Sequence, residues 1–163
     1  MHLHFQHKQR KLYDLLIATG RHVATTIGFG GAKGGGKSAG VRNCALRLAL
    51  ELGSQYPGLT ITIIRRVFDD LKKNHIDELF LAYPELREHY RADDKELKLA
   101  SGARIVFAFA ETAGDVERKF RGGYQSAFIL VDEAQQFTEA ELQDFKMAAR
   151  WTKIGRASCR ERV

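Results

Sequence analysis

A chain of 163 residues, 44% of them hydrophobic and 28% charged, has the size and composition of one folded domain with a core of its own. Its net charge of +6 fits a polyanionic partner without identifying one. Two cysteines, Cys44 and Cys159, exclude a disulfide framework or zinc site, and MHLHFQHKQRK lacks the apolar stretch of a signal peptide. No run approaches the roughly 18 apolar residues that cross a bilayer, so a soluble protein of a reducing compartment is expected.

His2, His4 and His7 crowd the N-terminus, where alternate spacing could offer His2 and His4 to a metal; a solvated terminus is the plainer reading. Lys8 to Ala18 reads as an amphipathic helix, with Leu12, Leu15, Leu16 and Ile17 on one side. His22 to Gly28 is a short β-rich run leading into a glycine loop. Lys37 to Leu52 returns to helical spacing through Val41, Ala45, Leu48, Ala49 and Leu52, and Gly53 with Pro57-Gly58 stops it. Leu59 to Ile64 is a continuous β-branched run, the pattern of a strand buried on both faces.

Phe68 to Leu81 is helical in period. Glu96–Leu99 and Arg104–Phe109 flank Ser101-Gly102 as a β-hairpin, and Ala127 to Val131 is a second run of the fully buried type. Thr138 and Glu141 form a capping box for a helix reaching about Arg150. Alternating strands and helices predict an α/β fold with a mainly parallel sheet flanked by helices.

The last ten residues, IGRASCRERV, carry neither helix nor strand pattern and look like translated sequencing adapter. The expectation is a domain over residues 1–153, truncated after the last helix, and a non-native tail over 154–163. Without Arg156, Arg160, Arg162 and Glu161 the net charge falls from +6 to +4.

Gly31-Ala32-Lys33-Gly34-Gly35-Gly36-Lys37-Ser38 matches the phosphate-binding pattern G-x-x-x-x-G-K-[ST] in full. Glycines let successive N–H groups turn toward phosphate oxygens, and the helix starting at Lys37 adds its positive end. Lys37 would reach the β- and γ-phosphates, and Ser38 would ligate Mg²⁺. A flexible glycine linker would not stand between a β-branched run and a leucine-rich helix.

Phe128-Ile129-Leu130-Val131-Asp132-Glu133 is the matching Walker B pattern, a strand delivering two carboxylates at its C-terminal end, where open α/β sheets bind ligands. Asp132 would hold Mg²⁺ through water, and Glu133 would act as general base on the attacking water. A second carboxylate is what hydrolysis needs and a kinase does not. The two motifs predict a P-loop NTPase of the additional-strand, catalytic-glutamate type, using ATP and Mg²⁺.

Beyond these motifs the chain resembles the large terminase subunit of tailed bacteriophages, a DNA-packaging ATPase. FQHKQRKLYDLL resembles that family's adenine-side motif and implies Gln9 as the adenine-binding residue. GGAKGGGKS resembles its glycine loop, with Lys33 where arginine is usual, which keeps the charge and loses the planar fork. ITIIRRVFDDLKKN, LKLASGARIVFAF and FRGGYQSAFILVDEAQQFTE follow in the family's order, so the likeness spans roughly residues 5 to 151.

The resemblance implies translocation of double-stranded DNA into a capsid in the bacterial host's cytoplasm, with a small terminase subunit and a portal protein as partners. It implies a homo-oligomeric ring, no membrane association, and a C-terminal nuclease domain that would lie beyond this chain. Arg121, in the loop ahead of Asp132, is placed where such motors carry a finger toward a neighbour's nucleotide; a surface arginine is an equal reading. Arg65 and Arg66 end a strand, where they could face nucleotide or DNA, although a solvated strand end is simpler. A superfamily 1/2-type helicase also writes Asp-Glu-Ala-Gln at Walker B, but IIRRVFDDL replaces the DNA-contact motif usual there. A partition-type ATPase needs its lysine five positions before Lys37, and Lys33 stands four before. A fragment that binds nucleotide or DNA without turnover remains the non-enzymatic alternative.

Overall fold

The computed structural model describes residues 3–19, 26–30, 34–121 and 125–149. At its centre runs β1, Thr60–Arg65, buried along all six residues, as its unbroken β-branched run requires. β4 (Arg104–Phe109) and β5 (Phe128–Val131) pair with β1 on its two sides, both parallel to it. β3 (Glu96–Lys98) joins β4 in antiparallel register and β2 (Tyr90–Arg91) forms the edge, giving the order β2-β3-β4-β1-β5. The sheet is therefore mixed rather than mainly parallel. The hairpin is as expected, with the Leu99 amide donating to the Ala103 carbonyl at 2.9 Å and the Gly102 amide to that of Leu99 at 2.9 Å.

Alternation along β1 divides the core between the sheet's two faces. Ile61 and Ile63, with Ile105 and Phe107, pack against α1 (His7–Thr19) and α2 (Lys37–Gly53). Leu12 and Leu16 are buried there, whereas Leu15 is 49% exposed. Ile64, Ala108 and Ala110 pack on the other face against Val116, Phe120, Phe145 and Ala148. Those residues come from α5 (Ala113–Val116), the π-helical turn Glu117–Arg121 and α6 (Glu139–Ala148). The result is a mixed α/β domain with an open five-stranded sheet and helices on both faces.

Three further sequence expectations change. The helix over 68–81 is real in extent but not uniform: α3 (Phe68–Leu71) passes into a π-helical turn, Lys72–Asp77, and then α4 (Glu78–Ala82). β5 is not fully buried, since only Phe128 is and the next three residues are half-buried. Among the described residues β5 pairs with β1 alone and stands last in the strand order, so its composition overstates its cover there. Of the strand expected over His22–Gly28, residues 22–25 lie outside the described residues, and 26–28 form no strand. Gly31, Ala32, Lys33 and the 154–163 tail also lie outside them. The capping box of α6 is as expected: Thr138 Oγ1 accepts from the Glu141 amide at 3.3 Å, and the Glu141 carboxylate accepts from the Thr138 amide at 2.7 Å.

Candidate functional site

The glycine loop enters α2 through Gly34 at φ 81° and Gly36 at φ 69°, a left-handed region that a side chain at either position would strain. Gly36 caps α2, so the amides of the helix's first turn open toward the loop. Lys37 and Ser38, the first two residues of α2, are half-buried.

β5 ends at Val131, and the Asp132 amide continues its ladder by donating to the Ile64 carbonyl at 2.9 Å. That bond fixes Asp132 at the C-terminal edge of the sheet, where it is 4% exposed. Ser38 Oγ, 94 positions earlier, donates to Asp132 Oδ2 at 2.9 Å. The His75 Nε2 lies 2.9 Å from the same oxygen, and an Arg65 amino nitrogen 3.7 Å from it. Burial alone would raise the Asp132 carboxyl, but the His75 and Ser38 hydrogen bonds and the Arg65 charge outweigh it and hold the carboxyl below its ordinary value. His75 is wholly enclosed, and that burial pushes it below its ordinary value despite Asp132. A neutral imidazole must then carry its one proton on Nε2 to donate to the carboxylate. Its Nδ1 has no partner among the described residues.

Glu133 follows in the left-handed region, at φ 58° and ψ 49°. An acidic side chain there is strained, the kind of backbone that persists where surroundings impose it. Arg65 reaches its carboxylate at 3.8 Å, and Gln135 Nε2 donates to its other oxygen.

Gln9 is brought to the loop, but to its backbone. Its Nε2 donates to the Gly36 carbonyl at 2.9 Å while its Oε1 accepts from the Gln6 amide at 3.0 Å, and it is 4% exposed. A Cβ on Gly40 would stand 3.0 Å from Gln9 Cγ, so α1 and α2 approach as closely as glycine permits. The Nε2 end of the amide thus holds the loop to α1, while the Oε1 end fixes the segment leading into α1. Arg121 takes a different course: it donates to Asp144 at 3.0 Å and to Glu117 at 2.7 Å, which ties it to α6 and its own turn.

Neither strand-end arginine is solvated as expected. Arg65 is buried beneath Asp132 and Glu133, and donates to the Asp70 carbonyl at 3.3 Å. Arg66 clamps Glu141 at 2.8 and 2.9 Å and lies 4.3 Å above the Phe137 ring. The sequence gives His75 no role, and Gln135 only a place in the Asp-Glu-Ala-Gln pattern. His75 sits on the apolar side of a helical pattern, where one histidine is ordinary, and its meeting with Asp132 is a tertiary contact that spacing does not encode.

Among the described residues no group of three or more His, Cys, Asp or Glu side chains could hold a metal ion. Mg²⁺ needs no such cage, because one or two carboxylates with substrate phosphates and waters suffice, and Ser38 Oγ with the Asp132 carboxylate are hard oxygen donors of that kind. No helix among the described residues is long and apolar enough to cross a membrane. Comparison with protein-family models, curated proteins and solved structures finds no match.

Proposed function

We propose that this chain is an ATP-binding and hydrolysing P-loop domain of the DNA-packaging type. The observation that carries the reading is the 2.9 Å contact between Ser38 Oγ and Asp132 Oδ2, which joins the two motifs across 94 positions. Such a pair belongs together where a phosphate-bound Mg²⁺ is shared between a loop hydroxyl and a strand-end carboxylate.

In this reading the amides of the loop and of the first turn of α2 bind the phosphates, and Lys37 neutralises charge on the β- and γ-oxygens. Bound Mg²⁺ would supply Lewis-acid polarisation of those oxygens, held by Ser38 directly and by Asp132 through water. Glu133 takes the proton of the attacking water as the new P–O bond forms and the bond to the β–γ bridging oxygen breaks. Arg65, 3.8 Å from the Glu133 carboxylate, holds it in place between turnovers. Gln9, implied by the resemblance as the adenine-side residue, holds the loop at the Gly36 carbonyl with one N–H and keeps a second N–H and a second oxygen lone pair for a base. Translocation of double-stranded DNA, a ring of subunits, and small-subunit and portal partners rest on the resemblance of roughly residues 5 to 151 to large terminases. In a ring, Arg121 would have to leave Asp144 and Glu117 to serve a neighbour.

A second reading, nucleotide binding without turnover, is favoured by the engagement of Glu133 with Arg65 and Gln135. One experiment separates them: ATP affinity and phosphate release with Mg²⁺ for the chain, Lys37→Ala and Glu133→Gln. The hydrolytic reading expects Lys37→Ala to lose binding and Glu133→Gln to bind normally but turn over about 10²-fold or more slowly. Binding with no release by the unaltered chain leaves the second reading. Absence of ATP binding, with Lys37→Ala indistinguishable, overturns both.

A further inference from the structure

His75 lies outside every motif, yet it makes the closest enclosed contact to the acidic end of β5. It is 0% exposed, and its Nε2 stands 2.9 Å from Asp132 Oδ2. The hydrogen bonds from Ser38 Oγ and His75 Nε2 both fall on that one oxygen, and an Arg65 amino nitrogen stands 3.7 Å from it. A carboxylate tethered in this way cannot rotate about its last torsion without giving up three partners.

The histidine is carried on the π-helical turn Lys72–Asp77, whose wider winding departs from the α-helix on both sides. That turn is itself fixed to α2, because Arg42 donates to the Asn74 carbonyl at 2.6 Å. Arg42 lies one helical turn beyond Ser38, so the element that carries Ser38 and the one that carries His75 are locked in register. A histidine serving only to fill the core gains nothing from a buried Nδ1 without a partner among the described residues. The arrangement is intelligible when Nε2 has a task.

We propose that His75 is a positioning residue for Asp132: its Nε2–H holds Oδ2 and so leaves Oδ1 as the oxygen presented to the metal and its water. This rests on the reading of Ser38 and Asp132 as the Mg²⁺ pair. Partners behind a metal ligand commonly set its affinity by 10- to 100-fold when removed.

The test uses three neutral replacements and a readout other than turnover. Free Mn²⁺ is followed by electron paramagnetic resonance while it is titrated into the chain with a non-hydrolysable ATP analogue; analogue affinity without metal is measured alongside. His75→Gln can place an amide donor near the Nε2 position, His75→Asn carries the same donor too short to reach, and His75→Leu carries none. The expected result is Mn²⁺ affinity about 10- to 100-fold weaker for Asn and Leu, within about threefold of the parent for Gln, and metal-free analogue affinity unchanged in all. Asn and Gln are both polar and differ by one methylene, so their comparison stands even if Leu does not fold. Parent-like Mn²⁺ affinity in Asn overturns the proposal, as does equal weakening in Gln and Asn. If the unaltered chain shows no metal-dependent binding of the analogue, the Mg²⁺ reading itself fails, and that outcome is seen before any variant is made.

Discussion

Glu141→Gln should destabilise the fold by about 2 kcal/mol at neutral pH, and the difference should fade in acid. Glu141 is buried at the start of α6, where its two oxygens accept from Arg66 at 2.8 and 2.9 Å and one also accepts from the Thr138 amide at 2.7 Å. The Arg66 hydrogen bonds, opposed by burial and helped by Thr138, hold its carboxyl down at about 2, from an ordinary 4.5. A drop of that size corresponds to about 3 kcal/mol of stability. Arg66 is 18% exposed and keeps the Ala110 and Gln136 carbonyls and the Phe137 face, so solvent screening and those remaining partners reduce the cost to about 2 kcal/mol. Because the folded value lies below the unfolded one, the contribution is fully present above about pH 4.5 and is lost as pH falls through about 2. Urea denaturation of both proteins at pH 7, 5, 4 and 3 measures it. A difference under about 0.5 kcal/mol at pH 7, or one that does not shrink between pH 4.5 and 3, would refute the reasoning.

Glu133→Gly should relieve the left-handed backbone at φ 58°, holding stability or raising it by up to about 1 kcal/mol while phosphate release collapses. Loss of more than that in urea melts would show that the Arg65 and Gln135 contacts, not strain, dominate at this position. Gly53→Ala should cost about 1–3 kcal/mol, because the added Cβ would stand 2.8 Å from Ala103 Cβ and collide with Ser101 Oγ across the hairpin turn; thermal melting checks it, and an unchanged midpoint sinks the close-approach argument.

What could be read in advance was local. The glycine loop, its lysine and serine, and the paired acids after an apolar run are one-dimensional patterns because the chemistry needs them on adjacent residues. The hairpin at Ser101-Gly102 and the Thr138–Glu141 capping box are local for the same reason, being closed by residues three or four apart. Gln9 was found by resemblance, but the groups it would touch, Gly36 and Gln6, depend on how α1 lies on α2, and no spacing states that.

The misreadings share one cause, which is that composition records what a residue can tolerate and not what covers it. An apolar run such as Phe128–Val131 suits a central strand and a last strand equally, and only strand pairing, which among the described residues joins β5 to β1 alone, distinguishes them. Arg65 looked like a charge that must be in water, yet a guanidinium can be buried where two carboxylates stand above it, and β1 ends beneath Asp132 and Glu133. His75 is the same problem in reverse: it stands four positions from both Leu71 and Leu79, an apolar spacing, while its neighbour in space, Asp132, gives it an acidic partner. The residues that surround the paired motifs are set by where β1, β5 and the π-helical turn meet. There an arginine, a histidine and a serine from three separate segments converge on one carboxylate oxygen.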